Sequence, residues 1–558
     1  MPDPRDGGDA RLCVVMKKWS AVMILGCAQF VMVLDSTVMN VSISTVVADL
    51  DTTVAAMQSA ITFYTLTMAA MMLLGAKLGD VWGRRRAFVT GAVVYAFGSL
   101  LTALSPNIAM LFLGWSVIEG LGAVLVIPAI AALVANNYTG RDRGTAFAII
   151  GAISGAAVAA GPLIGGFVTT YSSWRYVFVG EVVVLIVVLL FVRLVPDAGA
   201  PQSIRIDVCS VLLAAAGLVI IVFALLQSKT WGWVLPNQAP EIAGEPFEPL
   251  GLSLVPYLML IGGYLLWVFA QRQRTLQADG RTPLLTPALF TIPQLRGGLS
   301  VLAAQYTVTA GLFFMIPIYL QMTLGFDALQ TGLKIFPLSI ALILFSAIGT
   351  RLSTIWSPRR IVRAGQLILI LGAACLLGSV SLELRGGLFT LGMFLAGGAL
   401  GLLASQLGNV NMSSVGEEQS SEVGGMQGVF QNLGSSLGTA LIGSILIASL
   451  SASFFGAVTA SDLPAAVKSE VSTSTAQGVA IVPISSVGDI ARDAGLAPGE
   501  AEELSALYSD SQVSSLRTAF FALIVMAILS LLFSRQIPDQ KLAAAPTKPP
   551  RTPSRVDD

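Results

Sequence analysis

Three acidic residues stand inside long apolar stretches of this sequence: Asp35, Glu119 and Glu181. An acid at the centre of a membrane helix costs about 2.5–3.5 kcal/mol on insertion scales, so it faces a polar cavity or a partner. Removal from water favours the neutral form of a carboxyl group, and a carboxyl poised between its two forms can load and release protons. The chain has no histidine, so proton chemistry falls to carboxylates. Histidine-rich zinc sites, histidine-bound haem and Ser-His-Asp catalysis are closed to it. A plainer role stands beside proton or substrate-cation work for two of the acids: a hydrogen bond to a neighbouring helix for Glu119, and an ion pair with Arg175 for Glu181. Cys13, Cys27, Cys209 and Cys375 have neither paired nor metal-ligand spacing. They read as packing residues, so no metal is expected.

The elements that hold these acids are membrane helices. Of 558 residues 55% are hydrophobic and 11% charged, against roughly a quarter charged in soluble domains, which excludes a soluble enzyme. The 32 basic and 32 acidic residues balance, giving no net attraction for nucleic acid. Apolar runs of about 20 residues, bounded by charge, glycine or proline, mark membrane spans. Six fall near 19–47, 57–76, 87–104, 108–135, 145–170 and 176–195; two near 208–227 and 252–270; and six near 298–323, 329–350, 362–381, 387–410, 423–450 and 516–534. The first run follows Lys17 and Lys18 but lacks an Ala-x-Ala cleavage site, so it reads as a retained helix rather than a signal peptide.

The expected fold is all-α, with two six-helix bundles, 19–195 and 298–534, and a linker of two further spans in 196–297. Basic residues crowd every second connection: Lys77 with Arg84 to Arg86, Arg141 with Arg143, Arg193 with Arg205, Arg272 with Arg274, and Arg351 with Arg359, Arg360 and Arg363. That pattern puts both termini in the cytoplasm, with an N-terminal tail over 1–18 and a disordered tail over 535–558. The polar segment 451–515 then lies outside, as variable decoration or a partly helical lid around Ala501 to Tyr508. Equal blocks of six suit a transporter of pseudo-symmetric halves that binds substrate near the midplane and rocks around it.

Three strings carry further information. Gly75, Gly79, Asp80, Gly83 and Arg84 to Arg86 follow the second span; an aspartate beside a helix N-terminus and an arginine cluster makes a charge latch that a conformational change must break. In the fifth span Gly151 and Gly155 lead to Gly161, Pro162, Gly165 and Gly166, where small residues admit a close neighbour and the proline bends the helix. The first span holds Leu34, Asp35, Thr37, Asn40 and Val41. These strings resemble, in order, the signature loop of the major facilitator superfamily, the antiporter motif of its drug:proton exchangers, and the Leu-Asp-x-Thr-x-x-Asn-Val string of its fourteen-helix drug:proton antiporters. Departures occur at Ala76, Val81, Ala157 and Ser44. Ser116 and Glu119 stand where the family's Arg-x-x-Gln-Gly string has its arginine and glutamine, so the proton relay ascribed to that arginine does not carry over.

The resemblance implies a proton-coupled antiporter in the cytoplasmic membrane that exports amphipathic or cationic compounds, working as a monomer in lipid with the proton gradient in place of a cofactor. On this reading Asp35, Glu119 and Glu181 couple protons, Asp80, Gly83, Arg84 and Arg85 form the latch, and Gly161, Pro162, Gly165 and Gly166 the antiporter motif. Asn40, Phe63, Tyr64, Gln305, Phe313 and Gln431 line the substrate path, although each taken alone also reads as helix packing. Export of a dedicated endogenous lipid, siderophore or antibiotic fits the same strings. A membrane sensor or scaffold fits less well, for want of a cytoplasmic domain, and a membrane enzyme less well again. No Walker-type phosphate loop occurs, which disfavours ATP as the energy source.

Overall fold

The computed structural model describes residues 6–138, 140–197, 206–236, 240–242, 245–415, 420–474 and 479–539. All fourteen expected spans form helices long and apolar enough to cross a membrane. The first block consists of α1 (Asp6–Val41) with the short α2 (Ile43–Asp49), then α3 (Val54–Trp82), α4 (Arg84–Ala103), a fourth span built from α5 (Ile108–Leu111), a π-helical stretch Phe112–Glu119 and α6 (Gly120–Asn137), α7 (Gly140–Tyr171) and α8 (Arg175–Phe191). Two further spans, α9 (Val208–Trp231) and α10 (Leu254–Ala278), flank a two-residue antiparallel ladder of Glu241–Ile242 with Glu245–Pro246. The second block is α11 (Pro293–Ile318) with a π-helical Tyr319–Thr323, α12 (Ala328–Leu352), α13 (Pro358–Ser379), α14 (Gly386–Met412), α15 (Ser420–Ala460) and, after α16 (Ala465–Ser474) and α17 (Ile484–Asp493), α18 (Pro498–Phe533).

The blocks pack as copies of one plan. Within the first, span 1 lies on span 5 (α1 on α7), span 3 on span 4 (α4 on α6) and span 3 on span 6 (α4 on α8). The second repeats these pairings as α11 on α15, α13 on α14 and α13 on α18. Between blocks, the second helix of each meets the fifth of the other: α3 with α15, and α7 with α12. This reciprocity is what a pseudo-two-fold axis between the halves requires. Helix α9 lies against both α3 and α15, with Leu66, Leu218, Val222, Leu225 and Ala440 buried in one cluster, and α10 packs on α9.

The glycines of the fifth span sit at two interfaces. Gly161 and Gly165 face Thr37 and Val38 of α1, whereas Gly166 faces the backbone of α12, where a Cβ would meet Ala328 O at 2.5 Å and Leu329 Cα at 2.9 Å. The Pro162 carbonyl in turn abuts Gly332. Leu329 N donates to Thr170 Oγ1 at 3.1 Å, Gln58 Nε2 to the carbonyls of Thr439 and Ala440 at 3.1 Å, and Gln321 Nε2 to Val41 O at 2.7 Å. Ser44 also hydrogen bonds Gln321. These cross-block bonds lie toward the end remote from the Gly75–Arg86 loop. At the loop end the blocks part around a cavity of about 150 Å³, lined among others by Met72, Asp80, Ile127, Phe147, Met412 and Gly428.

Two expectations change at the polar segments. The described residues of 451–515 are largely helical, in keeping with the partly helical alternative around Ala501 to Tyr508, but the bounds of the spans move: α15 runs on to Ala460, and the last span belongs to a helix that begins at Pro498 rather than near 516. Tyr508 ties that extension down, accepting from Val482 N at 2.9 Å and donating to Ala480 O at 2.9 Å. Residues 535–539 do not belong to the expected disordered tail: Ile537 is buried, and Asp539 pairs with Arg359 at 3.8 Å and accepts from Ser357 at 2.8 Å. Residues 540–558, residues 1–5 and Arg205 lie outside the described residues, as do the side chains of Arg141 and Arg143.

Candidate functional site

Asp35, Glu119 and Glu181 come from three different spans of the first block and meet in its interior. Each offers a carboxylate oxygen within 4.8 Å of the others, and each is buried, at 1%, 0% and 2% exposure. The meeting depends on close packing between spans 3 and 4. At Gly98 a Cβ would stand 2.5 Å from Glu119 N, so only glycine lets α4 approach the π-helical stretch that ends at Glu119. A π segment inserts extra backbone into the helix and is common at functional sites; here it turns Glu119, Trp115 and Ser116 into the bundle.

Trp115 Nε1 donates to both oxygens of Asp35, at 3.0 and 3.1 Å, and its ring stacks on Tyr64 with centroids 4.9 Å apart. Ser116 Oγ donates to Ala60 O at 2.8 Å, fixing the π segment against α3. Ser99 Oγ stands 2.9 Å from Glu119 Oε2 and 3.0 Å from Glu181 Oε2. The other oxygens of the two glutamates, and the hydroxyl of Tyr95, are buried without a hydrogen-bond partner. Among the described residues, none of the three acids forms an ion pair with a basic side chain.

The alternative pairing of Glu181 with Arg175 does not occur. Arg175 reaches the other way, to Asp49 just beyond the first span, and donates to Ser105 O at 2.9 Å, while Trp174 Nε1 donates to Asp49 at 3.1 Å. Partial burial pushes the Asp49 carboxyl up, but the hydrogen bonds from Arg175 and Trp174 outweigh it and hold the group below the ordinary carboxylate range. The reason is geometric: Arg175 is the first residue of α8, facing the connections, whereas Glu181 lies further along the helix and turns inward.

At the loop, Arg84 donates to Asp80 at 3.3 Å and to Ala132 O of α6 at 3.4 Å. Arg85 donates through its backbone to Asp197 at 3.3 Å and through its guanidinium to Val195 O at 3.4 Å. Gly83 between the two helices has φ +93°. The latch residues therefore join spans 2 and 3 to span 4 and to the segment after span 6.

The expected substrate-path residues scatter. Tyr64 is buried beside the acids, and Phe63 packs edge-on against Phe112. The Asn40 amide donates to Ser36 O at 2.6 Å within its own helix. Gln305 and Phe313 lie on α11 and Gln431 on α15, with Gln305 Oε1 buried and unpartnered. Ser99, Tyr95 and Trp115 complete the acid cluster without having been singled out in the sequence. A serine, tyrosine or tryptophan in an apolar helix stands out far less than an acid.

Among the described residues, fourteen helices are long and apolar enough to cross a membrane, twelve in two reciprocally packed six-helix blocks and two between them, and with three buried acids in the first block they define a multi-pass membrane transporter. The chain belongs to the Major Facilitator Superfamily, whose family model matches residues 25–439. It is 32% identical to the puromycin resistance protein pur8 of Streptomyces alboniger, over 67% of this chain and 68% of that protein. It is 26% identical to the tetracenomycin C resistance and export protein of Streptomyces glaucescens, over 94% of this chain and 93% of the relative. Among solved structures it resembles a bacterial homologue of the human lysosomal transporter Spinster in an inward-facing, unoccupied conformation. That likeness has a TM-score of 0.61 and 16% identity, covering 93% of this chain and 98% of the other.

Proposed function

We propose that this protein is a proton-coupled antiporter that exports amphipathic, often cationic, drug-like compounds across the cytoplasmic membrane by alternating access. The observation that carries the reading is the convergence of Asp35, Glu119 and Glu181 in a buried site with no basic partner among the described residues. Acids held this way are expensive in a membrane unless they have a task, and proton binding neutralises them. Names of relatives that confer puromycin resistance or export tetracenomycin C support export of drug-like molecules. With the termini in the cytoplasm, as the basic connections imply, the cavity beside Asp80 opens inward and the cross-block bonds close the outer end. In that state the protein takes up substrate from the cytoplasm or inner leaflet. The unit of transport is one chain.

A second reading is export of one dedicated antibiotic, which the tetracenomycin relative favours because its match spans nearly the whole length of both chains. Efflux of ethidium and a panel of antibiotics from proteoliposomes under an imposed pH gradient separates the two. Antiport of drugs predicts gradient-dependent ethidium export that is lost in Asp35→Asn or Glu119→Gln. Folded wild-type protein that moves no dye under any gradient, yet moves a single antibiotic, replaces the multidrug reading with the dedicated one.

A further inference from the structure

Ser99 sits between two carboxyl groups with one hydrogen to give. Its Oγ lies 2.9 Å from Glu119 Oε2 and 3.0 Å from Glu181 Oε2, and the side chain is buried. A serine hydroxyl has one donor hydrogen and two acceptor lone pairs. It donates to one glutamate, and the second contact becomes a hydrogen bond only when the other glutamate is protonated and donates back. Two ionised carboxylates would leave an oxygen pressed on an oxygen at 3.0 Å with no hydrogen between them. The groups facing this pair are Asp35 from α1, Tyr64 from α3, Tyr95 from α4 and Trp115 from the π segment. Trp115 donates to Asp35 rather than to the glutamates, and Tyr95 Oη makes no hydrogen bond.

We propose that Ser99 relays a proton between Glu119 and Glu181. The proton on Glu181 Oε2 leaves with cleavage of that O–H bond and forms a new O–H bond at Ser99 Oγ. Ser99's own hydrogen passes, with its O–H bond breaking, to Glu119 Oε2. Ser99 ends neutral with its hydroxyl reversed, and the negative charge has moved from Glu119 to Glu181. The step runs equally in the other direction and needs no displacement of either helix. It rests on the antiport reading above, and it makes Ser99 a carrier in the proton path rather than a ligand of the exported compound.

The test uses the full chain in proteoliposomes with ethidium as probe. Two rates are read: export driven by a pH gradient, and ethidium exchange at equal pH, which requires no proton transfer. Ser99→Ala is expected to slow driven export at least tenfold while leaving exchange within twofold of wild type, and Ser99→Thr to restore driven export. Equal driven export by Ser99→Ala and wild type overturns the relay and leaves antiport standing. A parallel fall in both rates also overturns it, since packing alone would produce that. Wild-type export indifferent to the gradient overturns the relay together with antiport. A second measurement needs no Ser99 variant. Infrared spectra of the wild type at pH 7 should show a protonated-carboxyl C=O band that is lost in Glu181→Gln, and absence of the band in the wild type rules out the shared proton.

Discussion

At the scale of single residues, the acid cluster works through unequal partners. Asp35 has a donor aimed at both its oxygens, Trp115 Nε1 at 3.0 and 3.1 Å, which suits an anion. Glu119 and Glu181 have one hydroxyl between them. Replacing Trp115 with phenylalanine keeps a ring to stack on Tyr64 and removes the N–H. A hydrogen bond to a charged group contributes about 1.5–3 kcal/mol, so Trp115→Phe should reduce proton-driven ethidium export about ten- to hundredfold in protein that remains monodisperse and well folded. Unchanged export would show that the indole contributes only packing. The acids were legible in the sequence because each breaks an apolar run at a known free-energy cost. Ser99 and Tyr95 carry no such signal, and their role depends on the register of α4 against the π segment, which the close approach at Gly98 sets and which no one-dimensional pattern records. The same lack of register information left Glu181 open to a pairing with Arg175 that the turn of α8 rules out.

At the scale of elements, α7 meets α12 through backbone as much as through side chains. Gly166 faces Ala328 O and Leu329 Cα, and Pro162 O faces Gly332, so the helices touch with nothing flexible to yield. Gly166→Val should therefore disfavour the state in which the end remote from the loop is closed. Spin labels on α7 and α12 near that end should report a distance distribution shifted to longer separations; an unchanged distribution would mean that the contact does not control closure. Small residues in the fifth span were visible in sequence, but the partner they admit was not, since α1 and α12 are equally plausible neighbours and the structure uses both. The central pair α9 and α10 is joined differently. Arg272 donates from Nε and Nη2 to Asp207 at 2.6 and 2.7 Å, and Asp207 also caps α9 by accepting from Ser210 N at 3.0 Å. The Arg272 hydrogen bonds, opposed by partial burial and aided by Ser210, hold the Asp207 carboxyl well below the ordinary carboxylate range. A lowered folded-state value means that the stabilisation is fully present above the ordinary range and is lost as pH falls toward the folded value. Asp207→Asn should thus lower the melting temperature in detergent by a constant amount from pH 7 to about 5, with the difference from wild type shrinking below about pH 4. A difference that persists undiminished at pH 3 would assign the effect to the cap rather than to the charge. The pair is far apart in sequence, and only the hairpin of the two linker spans brings it together.

At the scale of the whole molecule, the six, two, six arrangement was legible from hydropathy alone, because lipid demands about 20 apolar residues per crossing. The pseudo-symmetry of the packing was not, for the halves share a plan without sharing a pattern of residues. On the antiport reading the asymmetry between them bears on the energetics: among the described residues the three acids that cluster in the interior all lie in the first block, while the second offers amides such as Gln305, Gln406 and Asn411. Export of a neutral compound for one proton draws on both the membrane potential, about 2.3 kcal/mol per charge per 100 mV, and the pH difference, about 1.4 kcal/mol per unit. A monovalent cation exchanged for one proton moves no net charge and feels only the pH term. A site of one tryptophan-held carboxylate and one serine-linked acid pair has room for more than one exchangeable proton, so cation export should respond to the potential as well. In proteoliposomes at equal pH on both sides, a potassium diffusion potential, inside negative, set with valinomycin should drive outward ethidium movement, and reversing its sign should reverse the flow. Ethidium that follows the pH gradient but ignores the potential would fix the exchange at one proton per cation, leaving the acid pair to share a single exchangeable proton.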